Sequence, residues 1–232
     1  MKTEPIVLTQ MALNGLALGF DVEQRTIYLN GPIDSMSTYR FISGFKFLDR
    51  QKGAIHVVVN SPGGNLDDGF AIYDCIRTAN NPTVCEGIGA IASAAVPVFE
   101  AGTVRFLNPE TRIMVHNLSY EMDGSVGTPV MLSLGKETER SNKRYHEILA
   151  ARTGRSVKDI ERWCQDETFF TANEAIKNGF ADKILDGRPL PKNFDEGMAE
   201  VQAVWGHNHF TEATPRKRKK AKKTVKRGKG KK

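Results

Sequence analysis

Cysteine is scarce in this chain. The 232 residues hold three, Cys75, Cys85 and Cys164, and no two are spaced as CxxC. That excludes a disulfide scaffold and argues against a structural zinc site. Long apolar runs are missing too: none approaches the roughly 18–20 residues of a membrane-spanning helix. Met11–Phe20 is mildly apolar, but it contains Asn14, follows Glu4 and has only Lys2 as a basic flank, so it reads as ordinary chain and not as a secretory leader. The expected compartment is therefore the reducing cytoplasm, with no membrane contact. Neither a Gly-Lys-Ser/Thr phosphate loop nor a GxGxxG fingerprint occurs.

One stretch lacks acidic residues and is densely basic. Arg216–Lys232 carries 12 Lys or Arg in 17 residues and no Asp or Glu. Removing those 12 from the chain's 33 basic residues leaves 21 against 27 acidic ones, so the body has a net charge of −6 although the whole chain stands at +6. Like charges repel, and the tail's one aliphatic besides alanine, Val225, gives it no core, so residues 216–232 are expected to be disordered. Such a run is a solvated tail, or it contacts nucleic acid or an acidic protein through salt-sensitive charge pairing. It lacks aromatics for stacking on bases. Gly187, Pro189, Pro191 and Pro215 mark residues 188–215 as a linker in which Leu190 and Trp205 could dock. The expected organisation is an N-terminal segment 1–21, a folded domain 22–187, the linker 188–215 and the tail 216–232.

Hydrophobic residues make up 40% of the chain, enough for a large core. Between residues 22 and 187, short β-branched runs alternate with helical patterns. Strands are expected at Arg25–Leu29, Ala54–Val59, Thr83–Ile88, Val104–Leu107 and Arg112–Val115. The apolar run Val57–Val59 suggests a strand covered on both faces. Leu66, Phe70, Tyr73 and Ile76 recur at helical spacing. Thr128-Pro129 reads as a helix start and Gly154 as its stop, predicting a helix over Thr128–Thr153. Ser156 with Asp159, and Thr171 with Glu174, read as capping boxes, and Gly179 as the end of a last short helix. The fold class is α/β with a largely parallel sheet.

Four segments could carry chemistry. Asn60–Asn65 (NSPGGN) follows a strand, and its two glycines free the backbone to turn and expose N–H groups; a plain strand-to-helix turn explains it equally well. Ser93 stands among small residues before the apolar stretch Ala94–Ala101, where a helix N-terminus favours an oxyanion; taken alone, it reads better as a helix cap. The surroundings are not the G-x-S-x-G turn of α/β-hydrolases. His116 ends an apolar strand, at the carboxyl edge where sites of open α/β sheets gather, although a lone histidine is more often structural. Asp166 and Glu167 precede a helix cap and could orient an imidazole.

Taken in order, these segments resemble the proteolytic subunit of the Clp protease, ClpP, a serine peptidase family. The resemblance covers about residues 25–187. It runs through R-x-I-x-L-x-G-x-I at Arg25–Ile33, N-S-P-G-G at Asn60–Gly64, G-x-x-I-Y-D at Gly69–Asp74, A-S-A-A around Ser93, R-x-M-x-H at Arg112–His116 and T-A-x-E-A-x-x-x-G-x-x-D at Thr171–Asp182. It implies a ClpP/crotonase-type spiral with a protruding handle helix. It also implies Ser93 as nucleophile, His116 as general base, and the N–H groups of Gly64 and Ala94 as an oxyanion hole. By the same resemblance the active form is a homo-oligomer, a heptameric ring that stacks in pairs, cleaving short or unfolded polypeptides without a cofactor or metal. Leu118–Thr128 is expected to start the handle, made mobile by Gly124 and Gly127.

The chain departs from that family in three places. The third member of the triad is usually aspartate; here the matching position is Glu167, in an E-T-aromatic sequence that phage head-maturation relatives also show, with Asp166 as the alternative acid. The aromatic positions at which an AAA+ ATPase docks correspond to His56, Val58 and Thr78. The basic tail is not a family feature. Two rival readings stand beside the peptidase: a crotonase-type acyl-CoA enzyme, which needs no serine nucleophile, and an inactive or nucleic-acid-associated paralogue. His207 and His209 lack a third ligand nearby for a metal. Trp163 and Cys164 read as helix packing, Cys75 and Cys85 as small buried hydrophobes, and His146 as a surface residue.

Overall fold

The computed structural model describes residue 15 and residues 17–119 and 127–185. The readings made for the linker, the tail, Gly124, His207 and His209 lie outside the described residues.

The described chain alternates strands and helices, as the pattern of β-branched runs requires. β1 (Phe20–Asp21) pairs antiparallel with β2 (Thr26–Asn30). From β2 the sheet continues in parallel through β3 (Ile55–Ser61), β4 (Thr83–Ala92), β5 (Val104–Leu107) and β8 (Lys183–Ile184). β6 (Arg112–Val115) runs parallel to the far end of β4, and β7 (Thr168–Thr171) lies antiparallel on β6. The helices are α1 (Ser35–Leu48), α2 (Leu66–Arg77), α3 (Ala95–Glu100), α4 (Thr128–Thr153), α5 (Val157–Gln165) and α6 (Ala172–Asn178).

Capping fixes the helix limits. Asp34 and Ser37 form a reciprocal capping box for α1, as Thr171 and Glu174 do for α6. Asn65 caps α2, whose first turn holds Asp67 and Asp68 and whose last holds Arg77, each on the favourable end of the helix dipole. α4 spans the expected residues, with Gly127 at its N-cap and Gly154 closing it at φ 73°. Ser156 caps α5 by accepting from the Asp159 N–H.

One face of the sheet builds the core. Ile27, Leu29, Ile55, Val57, Val59 and Cys85 are buried there. On the opposite face the in-register row Tyr28, Val58, Glu86 and Phe106 keeps solvent contact. β3 thus alternates between buried and half-buried positions and is not covered on both faces, because the described helices leave Val58 on an open side. His56, also on that side, sits 3.3 Å from Glu86.

A charge cluster is sealed inside. Glu100, the last residue of α3, is fully buried and pairs with Arg105 of β5, which also forks onto Asp182. Arg152, in the last turn of α4, donates to the Glu100 and Gly102 carbonyls. One Glu100 carboxylate oxygen, Oε1, has no partner among the described residues. Burial pushes the Glu100 carboxyl up to about 7 against the pull of Arg105 and Arg152.

Candidate active site

The site forms where β4 changes neighbours. Up to Gly87 the strand pairs with Leu107 of β5; from Ala90 it pairs with Arg112 of β6. Gly89 makes the bend at φ 64°, and the Asn60 side chain accepts from the Ala90 N–H at 3.2 Å. Three residues later the chain turns sharply into α3, and Ser93 occupies that turn with φ 56°. A left-handed serine is strained by about 1–3 kcal/mol, and such strain collects at functional positions.

Its surroundings hold the serine there. The Ser93 N–H donates to the Met114 carbonyl of β6 at 2.9 Å, and its carbonyl accepts from Val96 N at 3.0 Å and from the Tyr145 hydroxyl at 3.1 Å. The helix cap is Ala94 and makes no side-chain bond, so Ser93 is not the capping residue that an isolated reading favours. Its hydroxyl instead meets His116, the residue after β6, with 2.7 Å between Oγ and Nε2. A neutral imidazole with its proton on Nδ1 accepts from the hydroxyl through Nε2.

The glycine turn packs directly against this serine. A Cβ on Gly63 would come within 2.6 Å of the Ala92 carbonyl and 2.7 Å of the Ser93 Cβ. Gly64 has φ 146°, and a Cβ there would meet the Ile33 carbonyl at 2.2 Å. Ile33 N donates to Gly63 O and Ile33 O accepts from Asn65 N, which bridges the turn to the segment after β2 while passing over the Gly64 N–H. Among the described residues the N–H groups of Gly64 and Ala94 have no intramolecular acceptor.

The two acids are placed differently. Asp166 is the C-cap of α5, and Glu167 follows it with φ 48°; both are exposed. No carboxylate among the described residues hydrogen-bonds or ion-pairs with His116. The structure therefore brings Ser93, His116 and the glycine turn together and leaves the acid apart from them.

A small cleft over the serine is lined by Leu66, Ala94, His116, Leu118, Asn142 and Tyr145. Asn142, Tyr145 and His146 escape a motif search because they lie on the polar-looking α4. His146 is 7% exposed and not a surface residue; its Nε2 meets Asn117 Oδ1 at 3.0 Å. The spacing of Asn142, Tyr145 and His146 on one helix face is the signal that could have found them.

Comparison with known proteins decides the family: the Clp protease family model matches residues 19–188. The chain belongs to the Clp protease family. A solved structure of a ClpP1 mutant from Listeria monocytogenes is similar at 25% identity with a TM-score of 0.67, covering 72% of this chain and 94% of that one. This Clp protease family member has the ClpP fold and is a ClpP-type protease, a hydrolase of peptide bonds. Its strand β4, glycine turn and α3 all fall inside the matched region, as does the Ser93–His116 pair.

Proposed function

We infer that this protein is a serine endopeptidase that cleaves short or unfolded polypeptides inside a ring of its own copies. The observation that carries the reading is the 2.7 Å contact between Ser93 Oγ and His116 Nε2. At that distance His116 takes the hydroxyl proton as Ser93 attacks the peptide carbonyl carbon, and gives it to the amine as the C–N bond breaks and the acyl-enzyme forms. Water then attacks the acyl carbon as His116 takes its proton, and the ester bond breaks as His116 returns that proton to Ser93 Oγ and the acid is released. The unengaged N–H groups of Gly64 and Ala94 supply donors for the tetrahedral oxyanion, each worth about 10²–10³ in rate where such donors have been removed from other enzymes. Glu167 completes the triad by orienting the Nδ1 side of His116 once substrate or assembly draws it in; Asp166 is the alternative acid.

The ring reading is supported by α4. Its N-terminal half leaves Val130, Met131 and Leu132 exposed, an apolar stretch without a partner among the described residues of one chain. The positions matching an ATPase dock offer no aromatic: His56 sits beside Glu86, Val58 is half-buried, and Thr78 bonds its own helix at Asp74 O. Docking of an AAA+ partner therefore needs other contacts. The basic run Arg216–Lys232 adds a salt-sensitive site for nucleic acid or an acidic protein.

Hydrolysis of a short fluorogenic peptide by wild type and Ser93→Ala, alongside covalent labelling by a serine-directed phosphonate, tests the reading. Cleavage and labelling by wild type alone are expected. Hydration of an α,β-unsaturated acyl-CoA that survives in Ser93→Ala would instead select the crotonase-type reading. DNA retention lost on deleting Arg216–Lys232, with no peptidase activity at any assembly state, would select the paralogue.

A further inference from the structure

The long helix α4 reaches the reacting groups along one face. Tyr145 and His146 lie three and four residues after Asn142, so each has its side chain beside that of Asn142. Each holds a different part of the site. The Tyr145 hydroxyl donates to the Ser93 carbonyl at 3.1 Å. His146 Nε2 meets Asn117 Oδ1 at 3.0 Å; an amide oxygen only accepts, so the imidazole donates. Asn142 Oδ1 accepts from the Leu118 N–H at 2.8 Å. The first contact fixes the turn that carries the nucleophile, and the other two fix the residues that follow the general base.

Packing alone does not call for these polar atoms. Tyr145 is 3% exposed, and phenylalanine would fill the same space. A buried hydroxyl needs a partner, and the Ser93 carbonyl is the one it has among the described residues. Burial holds the phenol's pKa well above its ordinary value, so it remains a donor at neutral pH. Burial likewise lowers the pKa of His146, against a weaker opposing pull from Glu161, which favours the neutral ring. Ser93 also needs such support, because its left-handed backbone is a conformation that serine rarely holds unaided.

We propose that α4 is the template of the Ser93–His116 pair, with Tyr145 and His146 as positioning residues that set the Oγ–Nε2 geometry from either side. The proposal rests on the reading of Ser93 as nucleophile.

The test uses the full-length chain and two readouts: kcat and KM on a fluorogenic peptide, and the rate at which a phosphonate labels Ser93, with Ser93→Ala as the blank. Tyr145→Phe is expected to lower kcat and the labelling rate about tenfold, the scale of one lost hydrogen bond at a geometry-limited step, with KM, circular dichroism and sedimentation unchanged. His146→Ala is expected to lose as much, and His146→Gln, whose amide reaches to a similar distance, to recover most of it. Tyr145→Phe labelled at the wild-type rate overturns the role of Tyr145 and leaves the peptidase reading intact. Equal losses in His146→Ala and His146→Gln overturn the role of His146. A wild type that the phosphonate does not label at Ser93 overturns the peptidase reading and this proposal with it.

Discussion

Glu167 and His116 are the first residues beyond the last pair of the β6–β7 ladder, Val115 with Thr168. Glu167 leaves the strand conformation at φ 48°, and Asp166 lies one residue farther from the ladder as the C-cap of α5. Glu167→Gln should therefore lower kcat by at least about tenfold, by analogy with the larger loss when a triad acid is neutralised, while Asp166→Asn stays within about twofold of wild type. Peptide cleavage at saturating substrate measures both, and the reverse ranking would move the acid to Asp166.

Ser93 occupies a left-handed backbone that glycine adopts without cost. Ser93→Gly and Ser93→Ala should both be inactive, yet Ser93→Gly should be the more stable by about 1 kcal/mol, because alanine keeps the Cβ strain. Urea unfolding at one fixed protomer concentration compares them. Equal midpoints would mean that the strain is relaxed in solution.

The glycine turn has no room for a methyl group. A Cβ on Gly64 would overlap the Ile33 carbonyl at 2.2 Å, a backbone atom fixed by two hydrogen-bonded bridges. Gly64→Ala should destabilise the domain by about 2 kcal/mol or more and abolish cleavage, through strain at a special backbone position. Gly135, where a Cβ meets nothing within 4 Å, supplies the control: Gly135→Ala should keep activity and gain slightly in helix stability.

Glu100 ties stability to pH. Its carboxyl is raised from the ordinary 4.5 to about 7 in the folded chain. The native state therefore holds this proton where the unfolded chain has lost it, so this group's contribution is fully present below about 4.5 and is lost as pH rises through about 7. The change amounts to about 3 kcal/mol across that window. Glu100→Gln should remove that component, so its stability relative to wild type improves between pH 5 and pH 7.5. Unfolding curves at the two pH values check it; parallel pH dependence in both proteins would show that Glu100 stays ionised beside Arg105.

Much of this was legible in the chain, and for traceable reasons. β5 and β6 fall on the expected Val104–Leu107 and Arg112–Val115, and α4 on Thr128–Thr153, because β-branched runs and the Pro129 and Gly154 signals mark their limits. Ser93 and His116 were singled out by motif order, although each alone read as structural. Helix α1 was not anticipated: its serines and threonine blur the apolar stripe formed by Phe41, Phe45 and Leu48. β7 and β8 are only four and two residues long and gain their identity from pairing, which no local pattern encodes. His146 reads as a surface residue in the chain, yet it is buried. Its partner, Asn117, lies 29 residues earlier and is itself tied to α5 at the Cys164 carbonyl, which no local pattern encodes.

All six residues of α3 are buried, and the helix begins one residue after the Ser93–Ala94 turn. That helix therefore has no face open to change: a new side chain there must first find volume in the core. Among the residues lining the cleft, Leu118 is only half-buried. Altered substrate choice, whether reached by selection or by an engineer, has to come from such positions, and Ser93 would keep its seat while the bound peptide changed.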